Sequence, residues 1–351
     1  MSKVLMKGNE ALGEGALIAG CRSYFGYPIT PSSEIAEYMA KKLPKLGGAF
    51  VQAESEVSAI NMVYGASSAG KRVMTASSGP GISLKQEGIS FLAEGELPSV
   101  IVNISRGGPG LGGIQPAQSD YFQATRGGGH GDYHIMVLAP ASVQDMMDFA
   151  IEGFELADRY RIPVMLMAEG TLGQMMEPII VREPVTDFYD KSWATTGCKG
   201  REPNIINTLH LPQDEIENRN IYLANKYKEI KANEKRAETF MTEDAELVVV
   251  AFGLMFRIVK RAVIEARKQG VKVGLIRPIT LWPFPDEHIK KAAETAKRFL
   301  SIEISMGQMV EDIRLAVNGK VPVDFYGRIG MTPNPEEITQ QLLLVAEKEG
   351  A

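Results

Sequence analysis

Residues 26–34 read Gly26-Tyr27-Pro28-Ile29-Thr30-Pro31-Ser32-Ser33-Glu34, and residues 52–56 read Gln52-Ala53-Glu54-Ser55-Glu56. The Pro-x-x-Pro spacing stiffens a turn, and the Ser-Ser-Glu behind it is a helix-start signal. The second run places a carboxylate where a short apolar stretch, Phe50-Val51, gives way to another helix. Strand, turn and helix in quick succession open a parallel α/β sheet. Loops at the carboxyl ends of parallel strands share one crevice. A hydroxyl from Thr30 and a buried acid from Glu56 are therefore expected to converge on one small aromatic ligand.

The chain has 351 residues, which at roughly 150 per domain predicts two domains and a connecting arm. Its 38 basic and 43 acidic residues leave a net charge of −5. No basic run tracks a phosphate backbone, so nucleic acid is not an expected partner. The start, Met1-Ser2-Lys3-Val4-Leu5-Met6-Lys7-Gly8, lacks a signal-peptide core, and every apolar run is broken before ~18 residues. Neither export nor a membrane span is expected, and the location expected is the cytoplasm. Cys21 and Cys198 are the only cysteines, too few for a four-thiolate cluster or a zinc ribbon, so any iron–sulfur cluster belongs to another chain. His130 and His134 stand in a glycine-rich stretch that is no helix, so the i, i+4 metal geometry fails. No metal site is expected in this chain.

From residue 9 to about 180 apolar strands alternate with helices. Helices are expected from Asn9 to Cys21, Val57 to Ala69, Ser78 to Leu92 and Val143 to Tyr160. The strands between them fall at Phe50-Gln52, Val73-Ser77, Val100-Ile104 and Val164-Met167, in the apolar composition of buried parallel strands. Residues 182 to 215 lack periodicity and read as an irregular arm, and Glu215 to Phe240 reads as one long exposed helix. A second α/β unit follows: strand Leu247-Gly253, helix Ile258-Lys268, and strands at Val271-Ile276, Phe299-Glu303 and Val321-Phe325.

Gly108-Pro109-Gly110-Leu111-Gly112-Gly113 formally fits G-x-G-x-x-G, but turn-like residues 114–120 follow it instead of a phosphate-binding helix. It reads as a glycine-rich, mobile active-site loop. No G-x-S-x-G elbow, Walker loop or Cys/His nucleophile pair appears, so hydrolase and NTPase chemistry have no residues to use. Alone, Glu56 would be a solvated carboxylate favoured by a helix N-terminus. Its company changes that reading: Thr30, Glu56, Ser77-Ser78-Gly79 and Arg106 each follow a strand and share the crevice. Arg106 beside the glycines is built to clamp a carboxylate by a two-pronged hydrogen bond. An acid placed as Glu56 is suits the aminopyrimidine of thiamine diphosphate, whose 4′-amino group becomes an imine base when a glutamate protonates the far ring nitrogen. The diphosphate half would need Gly-Asp-Gly and a downstream Asn, and that run is missing.

These motifs, with Gln118-Ser119-Asp120-Tyr121 and Arg277-Pro278-Ile279-Thr280-Leu281-Trp282-Pro283-Phe284-Pro285, resemble the alpha subunit of 2-oxoacid:ferredoxin oxidoreductases over nearly the whole chain. Residues 108–112, 121–132 and 173–178 resemble the 3-methyl-2-oxobutanoate (2-ketoisovalerate):ferredoxin oxidoreductase branch. The resemblance implies a thiamine pyrimidine-type parallel-sheet domain over 1–190, an arm and linker helix over 191–240, and a transketolase C-terminal-like α/β domain over 241–351. It implies that Glu56 activates the aminopyrimidine, that Thr30 and Arg106 meet the substrate carboxylate, and that Pro28, Ile29, Glu56 and Ser78 bind the cofactor. The diphosphate with its Mg2+, the iron–sulfur clusters and the coenzyme A contacts are implied to lie on partner subunits, a beta subunit and an iron–sulfur subunit, with ferredoxin as electron acceptor.

The expected function is thiamine-dependent, coenzyme A-linked oxidative decarboxylation of a 2-oxoacid. The alternatives are a pyruvate or 2-oxoglutarate enzyme of the same kind, a transketolase-like transferase, and a catalytically silent scaffold. A scaffold has no need of an acid at Glu56. Arg106 is the one clear cation read among the crevice loops, which favours apolar side chains: 3-methyl-2-oxobutanoate first, then pyruvate, and 2-oxoglutarate last.

Overall fold

The alternation of apolar strands and amphipathic helices produces two largely parallel sheets, each with one antiparallel edge strand, in the computed structural model, which describes residues 3–347. The N-terminal part runs β1 (Lys3–Lys7), α1 (Gly8–Ile18), β2 (Ser23–Gly26), α2 (Ser33–Lys42), β3 (Ala49–Gln52), α3 (Glu56–Ser68), β4 (Val73–Ser77), α4 (Pro80–Glu94) and β5 (Ser99–Ser105). It continues through α5 (Tyr121–Arg126), β6 (Met136–Leu138), α6 (Val143–Tyr160), β7 (Pro163–Glu169), α7 (Gly170–Gln174) and β8 (Met176–Ile180). After the arm come α8 (Gln213–Asn233), β9 (Ala237–Phe240), β10 (Leu247–Val250), α9 (Gly253–Lys268), β11 (Val273–Pro278), β12 (Thr280–Trp282), α10 (Asp286–Ala292), β13 (Arg298–Glu303), α11 (Met309–Val317), β14 (Val323–Gly327) and α12 (Pro335–Glu347).

The large sheet has the order β12-β6-β7-β5-β4-β2-β3. All its strands are parallel except β12, which comes from the C-terminal part and pairs antiparallel with β6. From β2 the chain moves outward to β3, then returns to place β4 on the other side of β2 and continues inward to β5. The connections leaving β2 and β4 therefore diverge, and a crevice opens at their carboxyl ends. Every residue of β4, β5 and β7 is buried, as expected for strands covered on both faces. A second sheet, β14-β13-β10-β11-β9, closes over its own apolar core, and β1 and β8 form a separate antiparallel ribbon.

Three expectations change. The helix expected from Glu215 to Phe240 ends at Asn233, because Ala237–Phe240 pairs antiparallel with β11 as an edge strand. Glu234 takes the turn out of the helix, accepting a hydrogen bond from Tyr160 at 2.7 Å. The glycine-rich loop, read from composition as mobile, is cross-tied: Arg106 and Pro116 form a β-bridge, Gly107 N–H donates to Gln115 at 2.8 Å, and Gly113 N–H donates to Gly107 at 2.9 Å. The short strands β1, β6, β8 and β12 escaped the sequence reading, being only three to five residues long.

The two sheets meet at one buried polar knot. Glu169, at the end of β7, accepts from Gln118 Nε2 at 2.5 Å and from Leu254 N–H at 3.1 Å, at the start of α9. Gln118 also donates to the Phe252 carbonyl at 3.0 Å and accepts from Ile304 N–H at 3.1 Å. Burial pushes the Glu169 carboxyl up from 4.5 to about 7, against these hydrogen bonds. Its folded value stands above its unfolded one, so the folded state holds more protons between pH 4.5 and 7. This contribution to stability therefore falls as pH rises through that window and levels off above it, by about 3 kcal/mol at most. Glu169→Gln is expected to flatten the dependence: the difference in melting temperature between variant and wild type grows in favour of the variant from pH 5 to pH 8. A difference that stays constant across that range would show that Glu169 ionises without cost.

Candidate active site

Glu56 is the first residue of α3, whose start is capped by the Ser55 hydroxyl accepting from Ser58 N–H at 3.2 Å. The cap and the short strand β3 aim the Glu56 side chain into the sheet, where it is 6% exposed. Opposite stands α4, which begins directly after β4. A Cβ added at Gly81 would lie 2.6 Å from Glu56 Oε1 and would also strike Ser77 Oγ. Only glycine at this point of α4 admits the carboxyl to the end of β4. Among the described residues the Glu56 side chain has no hydrogen-bond or ion-pair partner.

Arg106 closes the other side. It follows β5, is 8% exposed, and donates from Nη1 to the Thr30 carbonyl at 2.8 Å and from Nη2 to the Leu111 carbonyl at 3.1 Å. Its Nε lies 3.2 Å from where a Gly79 Cβ would be, and Gly79 has φ 47°, a left-handed conformation that disfavours any larger residue. Thr30 thus meets Arg106 through its carbonyl. Thr30 and Pro28 stand exposed at the rim, Ile29 is half-buried, and Ser78 is wholly buried at the crevice floor. The turn, the Gly79 loop and Arg106 come together as the strand topology requires, with Glu56 reached across Gly81.

Five buried polar atoms at these strand ends lack a hydrogen-bond partner: Ser77 Oγ, Ser78 Oγ, Asn103 Oδ1, Ser105 Oγ and Arg106 Nε. Ser77 and Asn103 are direct neighbours across β4 and β5. Buried polar atoms are normally paired, and five unpaired ones at one crevice mark a surface made for a polar ligand. A cradle bounded by Glu56, Gly79 and Gly81 with hydroxyls on its floor fits the aminopyrimidine half of thiamine diphosphate. Among the described residues no group of three or more His, Cys, Asp or Glu side chains is arranged to hold a metal ion.

Two residues outside the expected site set, Asp120 from a quoted motif and Lys85, a basic residue that the sequence left free to fold inward, stand beside this cradle. Asp120, within the motif Gln118-Ser119-Asp120, accepts from Asn103 Nδ2 at 3.0 Å, and burial pushes its carboxyl up against the pull of Asn103 and Arg106. The signal was an Asn inside an otherwise apolar strand. Lys85 is fully buried in α4 and donates to Thr75 Oγ1 at 2.6 Å. Its signal was a lysine on the apolar stripe of Ile82, Ile89 and Leu92.

Residues 14–241 match the model of the pyruvate flavodoxin/ferredoxin oxidoreductase thiamine-diphosphate-binding family, and residues 245–338 match that of pyruvate:ferredoxin oxidoreductase core domain II. The chain is 54% identical to ketoisovalerate oxidoreductase subunit VorB of Methanothermobacter thermautotrophicus, over 94% of each chain. It is 38% identical to 2-oxoglutarate synthase subunit KorA of Methanocaldococcus jannaschii, over 98% of this chain and all of that one. A solved 2-oxoglutarate:ferredoxin oxidoreductase from Magnetococcus marinus superposes with a TM-score of 0.88 at 30% identity, covering 98% of this chain and 65% of that chain's length. A split-gene transketolase at 12% identity and a TM-score of 0.61 shares the fold alone. The crevice and these matches agree: the chain belongs to the pyruvate flavodoxin/ferredoxin oxidoreductase family, carrying its thiamine-binding segment and its core domain II in sequence.

Proposed function

We propose that this chain is the alpha subunit of a multi-subunit 2-oxoacid:ferredoxin oxidoreductase acting on branched-chain 2-oxoacids, 3-methyl-2-oxobutanoate foremost. It contributes the pyrimidine half of a thiamine diphosphate site, through residues 1–190, and a transketolase C-terminal-like domain, through residues 241–351. A beta subunit supplies the diphosphate and Mg2+ half, iron–sulfur subunits carry electrons to ferredoxin, coenzyme A takes the acyl group, and the complex works in the cytoplasm. The observation that carries the reading is the convergence of Glu56, Arg106 and several unpaired polar atoms on one crevice at the strand switch point.

Thiamine diphosphate, when bound, supplies a nucleophilic carbon for the keto group and a sink for the electrons left by departing carbon dioxide. Pro28, Ile29 and Ser78 line its ring, and Glu56 holds and releases a proton at the ring nitrogen. Arg106 has five N–H donors and spends two of them on Thr30 and Leu111. The rest remain for the substrate carboxylate, whose charge Arg106 offsets until it leaves. Lys85, behind the crevice, is turned into the core onto Thr75, so among the described residues it is not offered to a second carboxylate. Burying an unpaired carboxylate costs several kcal/mol, whereas a methylene or two is worth only ~1–3 kcal/mol. Similarity to the ketoisovalerate subunit supports the same choice.

The test is to purify the chain with the subunits that accompany it and to measure kcat/KM with ferredoxin or a viologen acceptor. The expected order is 3-methyl-2-oxobutanoate, pyruvate, 2-oxoglutarate. Best use of 2-oxoglutarate would overturn the branched-chain assignment, and ketol transfer without acceptor reduction would move the chain to the transketolase-like reading.

A further inference from the structure

The crevice acid has a charged neighbour buried behind it. Lys85 lies one helical turn beyond Gly81 on α4, so the two share a helix face. Gly81 is the residue against which Glu56 and Ser77 pack. Lys85 Nζ continues along that face into the domain, donating to Thr75 Oγ1 at 2.6 Å and to the Ala76 carbonyl at 3.2 Å. Thr75 and Ser77 are two apart on β4 and point to the same side of the sheet. The ammonium thus stands one strand step behind the position where the Glu56 carboxyl meets Ser77. No ion pair joins the two side chains. Glu56, from α3, is the charged group acting on Lys85, and β4 presents only the Thr75 hydroxyl and the Ala76 carbonyl. An isoleucine or leucine in this stripe would pack without the desolvation cost of a buried cation, so packing alone does not account for lysine here.

We propose that Lys85 is a positioning residue: held by Thr75, its ammonium acts by its charge across the α3–α4 contact on the Glu56 carboxyl that faces the cofactor ring. The inference rests on the role proposed for Glu56. Burial pulls Lys85 down from 10.5 to about 7, and the charge of Glu56 acts in the opposite direction. The sign for stability follows: the folded state holds fewer protons on Lys85 than the unfolded one between pH 7 and 10.5, so this contribution rises as pH climbs through that window.

The deciding measurement is the Lys85 titration in the full-length chain without cofactor, read by NMR of isotope-labelled lysine, with Lys85→Met assigning the signal. Glu56→Gln is expected to lower the Lys85 midpoint by about one pH unit or more; an unmoved midpoint overturns the proposal. In the assembled complex, Lys85→Met is expected to displace the pH profile of kcat/KM by about one unit and to lower turnover at pH 7 by about tenfold. Thr75→Val, which keeps the lysine and removes its anchor, displaces the profile in the same direction but less. If Lys85→Met does not fold, Thr75→Val and the Glu56→Gln titration still decide, with Thr75→Val then identifying the signal by its shift. A Glu56→Gln complex that has lost turnover while the Lys85 midpoint stays fixed leaves Glu56 in its role and removes Lys85. Normal turnover in Glu56→Gln removes both roles, whatever the titration.

Discussion

Glu56→Gln is expected to lower turnover of the assembled enzyme by at least ~100-fold while leaving the complex intact, the loss typical of a positioned proton donor. Glutamine has the same shape and fits beside Gly81, but it has no proton to give to a ring nitrogen. Assembly should survive, because the Glu56 side chain makes no hydrogen bond or ion pair with another described residue. Glu54→Gln is the control. Glu54 is exposed and accepts from Ser58 Oγ at 2.8 Å, so its loss should change turnover little. A correctly assembled Glu56→Gln complex with near-normal turnover would remove this residue from the mechanism.

Arg106→Leu is expected to lower kcat/KM for the 2-oxoacid by about 10²–10³-fold, the loss that follows when one partner of a buried charged contact is removed. Two effects combine. The substrate carboxylate loses its counter-charge, and the turn at Thr30 and the loop at Leu111 lose the guanidinium that ties them together. Arg106→Lys keeps the charge but loses the planar fork, so an intermediate loss is expected. Steady-state kinetics alongside calorimetric titration of the complex with thiamine diphosphate separate the effects, since cofactor affinity should change far less than kcat/KM. An Arg106→Leu enzyme within about threefold of wild type would show that the carboxylate is bound elsewhere.

Much of this protein was legible in its residues. The stiff Pro28 to Pro31 turn, Glu56 opening a helix, and apolar strands at Val73-Ser77 and Val100-Ile104 define strand–loop–helix units locally, because strand and helix periods are written into neighbouring side chains. Such units permit a shared crevice, so Thr30, Glu56, Ser78 and Arg106 could be named together. Long-range pairing was not legible. That β12, far along the chain, completes the edge of the first sheet, and that Ala237–Phe240 leaves its helix to pair with β11, are decided by partners distant in sequence. The polarity of a crevice residue depends in the same way on what folds against it. Lys85 and Glu169 are ordinary charged residues in the sequence. Tertiary burial alone removes their water and brings both close to neutral pH, with Thr75 and Glu56 around the first and Gln118 and Leu254 around the second.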